Sequence, residues 1–242
     1  VDRRLLRSIH PTAEQNDVSP TVSGTLKQDA TNLLLVEKAR EGKTVARLKL
    51  GDPFILSSGG QEALFLEEQG VPFEVIPSIP VSVGAPCYAG FPLTHPDTGD
   101  AILFLRGYGT ETTSPPQIDW DKVASLAVTL VSYADRAQIE TIIDELLNHG
   151  RSPEEPAALI NQGTLPRQAT ISGSLTEIQK AARETDRRGP AVLVVGSVVE
   201  FRKHLRWFDS RPLFGKRILV TRPKAQAADL VKRLSNLGAE PI

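Results

Sequence analysis

The sequence predicts an α/β protein of two domains, with the first strand and helix of a further α/β domain at its end. Three observations carry this. Stretches patterned as strands alternate with stretches patterned as helices along most of the 242 residues, the mark of strands covered by helices. A run over 92–100 rich in Pro, Thr, Asp and Gly separates two such series, placing one domain at 1–95 and a second at 96–208. After 209 the pattern restarts with one strand and one amphipathic helix, too little to bury a core alone, so 209–242 is assigned as the beginning of another domain.

Taken in order, residues 1–28 are polar and carry no assigned element. Asp29 stands as N-cap to a helix over 30–40, with Ala30, Leu33, Leu34 and Val36 as its apolar face and Gly42 as its stop. A strand is expected over 45–50, broken by Gly51-Asp52-Pro53. A helix follows over 61–69, closed by Gly70, and a short strand over 73–76. Pro77 and Pro80 exclude regular structure between them, and 81–90 is a run of small residues. The alternation favours a mostly parallel sheet. In the second domain, strands are expected over 101–105, 126–133, 157–160, 169–172 and 191–195, and a Thr/Ser/Pro loop over 110–119. One helix spans 137–149 and ends at Gly150. Another opens at Ser174, where Ser174 and Glu177 have capping-box spacing. The last segment offers a strand at Ile218-Leu-Val220 and a helix over 225–237, with Ala228, Leu230, Val231, Leu234 and Leu237 apolar.

Composition narrows the function. A net charge of −1 gives no electrostatic case for nucleic acid, though a local basic pocket for an anionic small molecule stays open. Cys87 is the single cysteine, so an internal disulfide and a multi-cysteine metal site are excluded, as suits a reducing cytoplasm. No apolar run approaches the roughly 18 residues that span a bilayer, and no signal-peptide layout opens the chain. The chain starts at Val1, contains no methionine and stops at Ile242 where another strand would begin. A piece of a longer protein is therefore expected.

Leu50-Gly-Asp-Pro-Phe54 is the foremost chemical candidate. Ligands of open α/β sheets sit beyond the carboxyl ends of strands. A glycine there admits close approach to the backbone, and an aspartate offers an acceptor. A plain tight turn explains the same residues. His95, in Pro92-Leu-Thr-His95, has the chemistry to donate to a carboxylate, against the alternative of a structural loop histidine. His10, His149 and His204 have no metal-ligand spacing. Cys87 reads as a small buried residue, Arg202-Lys203-His204 with Arg206 as a solvated face, and Trp207-Phe208 as a cap on a core. Gly59-Gly60 is a weak candidate for cradling an anion at a helix start.

In order and spacing the segments become more specific. Arg47-Leu-Lys-Leu-Gly-Asp-Pro-Phe-Ile55, Ser58-Gly-Gly-Gln-Glu62, Gly70-Val-Pro-Phe-Glu-Val-Ile-Pro77 and Tyr88-Ala-Gly-Phe-Pro-Leu-Thr-His95 follow one another. Asn161-Gln-Gly-Thr-Leu-Pro166, Gly173-Ser-Leu175 and Val194-Val-Gly-Ser-Val-Val199 come after them. Over about 4–208 this resembles the tetrapyrrole methylases, in their uroporphyrinogen-III C-methyltransferase branch, cut short at the front. Residues 212–242 resemble the start of uroporphyrinogen-III synthase. The resemblance implies a two-domain methylase fold with a ligand cleft between the domains. It implies methyl transfer from S-adenosylmethionine to uroporphyrinogen III, giving precorrin-2 for sirohaem or cobalamin, by a cytoplasmic homodimer. By position, the family's cofactor contacts fall on Leu50, Gly51, Asp52, Ile55, Pro80, Val81, Ala134 and Gly163, with Thr94 and His95 toward the substrate; no catalytic residue and no metal is implied.

Several positions depart from the family's pattern. Leu50 and Ser58 stand where a glycine and an arginine are usual, and Ser78-Ile-Pro-Val81 loses a hydroxyl and gains a fixed φ at Pro80. Tyr133-Ala134-Asp135 replaces Tyr-Met-Gly, Pro96 an arginine, and Ser19 approximately a lysine. The family's glycine-rich first loop has no counterpart in the sequence. Two readings follow: an active methyltransferase with a divergent site, or a degenerate methylase domain that serves as a dimerisation or substrate-holding module for the fused synthase. A methylase of another tetrapyrrole explains the altered rim but not the tail.

Overall fold

The computed structural model describes residues 9–18, 28–106, 118–184 and 189–242. Most of the loop expected over 110–119, and Ser19, lie outside them. The chain forms two compact units, Val1–Pro80 and Val81–Ile242. The 81–95 stretch, which the sequence assigns to the first domain, groups by its contacts with the second unit.

In the first unit two helices are described, α1 (Gln28–Arg40) and α2 (Gly59–Glu68). Asp29 lies inside the first turn of α1 rather than capping it. The face of α1 that is buried is Thr31, Asn32 and Val36, while Leu33 is exposed. This departs from the expected apolar stripe because α1 meets α2 through polar groups. Gln28 Nε2 donates to Asn32 Oδ1 (2.9 Å) and to Glu62 Oε1 (3.1 Å), drawing that edge inward. The strands expected over 45–50 and 73–76 do not form. Both segments carry strand-like residues, but neither has a ladder partner among the described residues, and an extended segment needs one to satisfy its backbone groups. Val45, Leu48, Phe73 and Ile76 are exposed.

The second unit opens with α3 (Val81–Ala89), the small-residue stretch, which folds as a helix with Pro86 inside it. It is followed by β1 (Ile102–Arg106), α4 (Trp120–Ser125), β2 (Thr129–Ala134), α5 (Arg136–Asn148), β3 (Pro156–Asn161), β4 (Ala169–Ser174), α6 (Leu175–Glu184) and β5 (Ala191–Val195). Then come a 3₁₀ turn at Ser197–Phe201, α7 (Arg202–Leu205), β6 (Arg217–Ile218), α8 (Lys224–Asn236) and β7 (Glu240–Pro241). The main sheet has the order β1-β2-β5-β3-β4. Only β1 and β2 run parallel; β5 lies antiparallel between β2 and β3, and β4 is antiparallel to β3. The expected mostly parallel sheet is thus corrected. A short loop returns β3 directly into β4, and β5 enters the centre from the opposite direction.

Alternation along the strands divides the core. Leu130, Leu193 and Leu159 face a layer built from α4, α5 and α6, with Ile139, Ile142, Ile143, Leu146 and Ile178. Val131, Val192, Val194 and Ile160 face α3, with Ala85, Ala89 and Phe91. On α3, Ser82, Ala85, Pro86 and Ala89 point inward, which leaves Cys87 on the outer face, not buried as the sequence suggested. Arg202 is also not solvated. It is buried, donating to Ala89 O and to the Asp209 carboxylate, and Arg206 Nε reaches the other Asp209 oxygen at 3.1 Å. Burial raises the Asp209 carboxyl and these two guanidinium groups outweigh it, so it stays below its usual range. Tyr88, Trp207, Phe208 and Phe214 form one aromatic cluster with Arg211 above it, as the capping role of Trp207-Phe208 required. Beyond it, β6 and β7 pair in parallel around α8, a small βαβ unit.

Candidate functional site

In the first unit the site candidates lie on two loops tied by one side chain. Gly51 has φ +67°, a left-handed conformation that favours glycine. Leu50 has no such requirement, since it is absent from the positive-φ residues, so a branched residue there costs the backbone nothing. Its side chain is 72% exposed. Asp52 is nearly buried: Oδ1 accepts the Phe54 N–H (2.8 Å) and Oδ2 the Ser78 N–H (3.0 Å). These amide donors, Ser78 first and then Phe54, hold its carboxyl below the usual aspartate range. Asp52 therefore fastens the 50–55 turn, with Ile55 exposed on it, to the 78–80 segment that ends in Pro80. Both Asp52 oxygens are thus engaged by loop amides, and Leu50 and Ile55 stay exposed on the same turn.

Beside this loop sits a cluster the sequence did not reveal. Glu62 is buried, and its Oε1 receives Lys49 Nζ (2.9 Å), Gln28 Nε2 (3.1 Å), Ser58 Oγ (3.2 Å) and Arg47 Nε (3.3 Å). Burial pushes the Glu62 carboxyl up. The bonds from Lys49 and Gln28, with the charges of Arg47 and Lys49, more than offset this and keep it below its usual value. Lys49 Nζ also donates to Ser58 Oγ (2.7 Å). Ser58 thus belongs to an internal network. Gly59 presses on Pro53, and its N–H donates to Pro53 O (3.1 Å). Gly59 serves packing, not an anion.

In the second unit, strand register gathers several candidates. Ala134 and Asn161 both face Ala191, and Arg106 faces Tyr133. The carboxyl ends of β1, β2 and β3 therefore share one edge of the sheet, where ligands of such sheets bind. Ala134 packs its methyl into the core. Burial raises the neighbouring Tyr133 hydroxyl pKa. Asp135, which stands where the family's pattern has glycine, caps α5: Oδ1 accepts the Gln138 N–H (3.1 Å) and Gln138 Oε1 accepts the Asp135 N–H (3.2 Å). Gly163 follows β3 on a loop with Gln162 at φ +49° and Thr164 at +71°. A Cβ on Gly163 would lie 2.5 Å from Ala85 Cβ. Gln168 pins the loop, donating to Tyr88 O (3.2 Å) and accepting the Thr164 N–H (2.8 Å). Val81, half-buried, opens α3.

Thr94 and His95 lie elsewhere. His95 bridges to Gly99, and the Thr129 N–H donates to Ala101 O. The His95 ring meets Phe201, 4.3 Å between centroids, beyond the end of β5. This is the edge where β2 and β3 begin, opposite Ala134 and Gly163. A cavity of ≈ 330 Å³ at that same edge is lined by Pro156, Ser172, Ser174, Glu200, Arg202 and Arg206, among others, and by no predicted site residue. Arg151, also missed, is buried with both Glu155 oxygens on its guanidinium and clamps Val128 O at 3.1 Å. No group of three His, Cys, Asp or Glu side chains among the described residues suits a metal. Among them too, no helix is long and apolar enough to cross a membrane.

The comparisons with known proteins agree with one another. The family model of Tetrapyrrole (Corrin/Porphyrin) Methylases matches residues 2–179. The "Porphyrin biosynthesis protein HemD" of Ruminiclostridium josui is 36% identical over 243 aligned residues, 100% of this chain and 48% of that protein. The uroporphyrinogen-III C-methyltransferase of Bacillus subtilis is 36% identical over 217, covering 90% of this chain and 45% of its own length. The chain thus spans about half the length of these curated relatives. A crystal structure of uroporphyrin-III C-methyl transferase from Thermus thermophilus, complexed with S-adenyl homocysteine, matches with TM-score 0.62 and 32% identity over 73% of this chain and 76% of that one. Cobalt precorrin-4 methyltransferase, at TM-score 0.69 and 23% identity over 82% and 81% of the two chains, bears on the fold alone. With a family match over most of its length and relatives of this similarity, the chain belongs to the tetrapyrrole methylases.

Proposed function

We propose that the protein carrying this chain is an S-adenosylmethionine-dependent C-methyltransferase that converts uroporphyrinogen III to precorrin-2, fused to uroporphyrinogen-III synthase. The observation that carries the reading is the Asp52 fastening. Leu50, Gly51, Asp52, Ile55 and Pro80 lie on two segments that one carboxylate joins, so this half of the cofactor surface is preformed despite Leu50. The left-handed Gly51 and the exposed apolar Ile55 suit a nucleoside with a flat apolar base. Val81, Ala134 and Gly163, which lie in the second unit, are proposed as cofactor contacts on the family resemblance alone. When bound, the cofactor supplies a methyl group on cationic sulfur, an electrophile for an electron-rich pyrrole carbon. What the chain's own residues contribute is alignment, a proximity effect.

The synthase assignment rests on the βαβ unit of 217–241 and on the R. josui protein matching through the end of the chain. Uroporphyrinogen III is then the substrate handed from one activity to the other, in a cytoplasmic homodimer. Calorimetry with S-adenosylmethionine, followed by mass analysis after incubation with uroporphyrinogen III, tests the reading. Cofactor binding and a gain of two methyl groups are expected. Absence of heat at millimolar cofactor overturns it in favour of a degenerate domain, and tight uroporphyrinogen III binding without methyl gain assigns a holding role.

A further inference from the structure

The loop between β3 and β4 is held from two directions. On one side Gly163 abuts Ala85 and Gln168 bonds Tyr88 O, so the loop leans on α3. On the other, Arg167 Nε stands 3.6 Å from Glu240 Oε2 on β7, and Arg217 Nε on β6 stands 3.8 Å from the same oxygen. That oxygen is buried and accepts no hydrogen bond from the described residues. Its partners are two guanidinium groups, one from the methylase body and one from the βαβ unit. The other support, α3, meets the same region through Tyr88, whose ring lies 4.7 Å from Phe208, itself 5.4 Å from Phe214. Both walls of the loop therefore run into 207–242.

Gln162 and Thr164 occupy left-handed conformations that persist only where the surroundings over-determine them. We infer that the βαβ unit braces the Asn161–Gln168 loop, with Arg167 and Glu240 as positioning residues for the cofactor surface at Gly163. The inference rests on the methyltransferase reading for its ligand, and on geometry alone for the brace. A half-exposed ion pair adds little to global stability. It acts here on the balance between conformers of one strained loop, so its loss shows in the loop and in the ligand the loop meets.

Three variants of the full chain separate the possibilities. Glu240→Gln and Arg167→Gln both break the bridge, whereas Arg217→Gln removes a partner lying on the same βαβ unit as Glu240. The first two are expected to weaken S-adenosylmethionine binding about threefold by calorimetry. They should also speed amide exchange across 161–168 in the ligand-free protein, with the melting temperature kept. Arg217→Gln should do neither. Unchanged exchange in the bridge variants, or the same loss in Arg217→Gln, overturns the brace. Wild-type protein that binds no cofactor sinks the methyltransferase reading instead, while the exchange comparison still decides the brace.

Discussion

At the level of single residues, the turn at Leu50 and Gly51 separates what the backbone demands from what a ligand demands. Gly51 sits at φ +67°, so Gly51→Ala should cost about 1–2 kcal/mol in denaturant unfolding and weaken cofactor binding with it. Leu50 carries no such strain and is exposed, so Leu50→Gly should leave stability within about 1 kcal/mol and raise methyl transfer by clearing the branched side chain. Equal activity of Leu50→Gly and wild type would count against this site map. Asp52 gives a pH signature. Its carboxyl is held low by the Ser78 and Phe54 amides, so its folded pKa lies beneath the unfolded value near 4. The stabilisation is therefore present above about pH 4 and fades as pH falls through the folded value. Asp52→Asn should melt at a lower temperature than wild type at pH 7, with the gap closing below about pH 4. A gap that stays constant down to pH 2 would mean the carboxylate is not what fastens the loops.

Among elements, the contact of α3 with the β3–β4 loop is tight. Ala85 and Gly163 leave no space for another carbon. Gly163→Ala should destabilise by about 1–3 kcal/mol, and the double change Gly163→Ala with Ala85→Gly should recover part of it, as contacting residues couple. A sum of two independent losses would refute the contact. Elements with clear apolar periodicity were legible in the sequence: α5, α6, whose Ser174 and Glu177 exchange both capping bonds, and α8. The strands of the second unit were legible for the same reason, since each is a short apolar run between turn residues. Their directions were not, because an apolar run has no sense of direction and β5 reaches the centre from far along the chain. α3 was missed since Pro86 and its small residues argue against helix. Glu62 and Lys49 were missed because only the fold brings residues 28, 47, 49, 58 and 62 onto one oxygen. Of the site, the Gly51 turn was legible through its residue type, whereas the separation of His95 from Gly163 depends on sheet order alone.

For the molecule as a whole, the two units differ in how their backbone groups are satisfied. In the second, β5 is paired on both edges, and its residues are buried between the α3 layer and the α4–α6 layer. Opening it means breaking the central ladder and exposing both cores at once. In the first, 45–50 and 73–76 make no ladder, and Leu50, Phe54, Leu64, Phe73, Ile76 and Ile79 are exposed. Local opening there breaks few bonds and uncovers little new apolar surface, the condition for low local stability. Asp52 and Glu62 are the exceptions: the Ser78 amide reaches Asp52 from another segment, and the Arg47 and Lys49 side chains bond Glu62. Hydrogen exchange on the ligand-free chain should therefore show β2, β3 and β5 exchanging only through global unfolding. Amides over 45–50 and 73–76 should exchange with little protection, and those of Phe54 and Ser78 should fall between. Adding S-adenosylmethionine should slow Phe54 and Ser78 more than β5, because binding acts where the opening energy is small. Protection of 45–50 equal to that of β5 in the ligand-free chain would show these segments paired in a ladder, and would contradict the backbone described for the first unit.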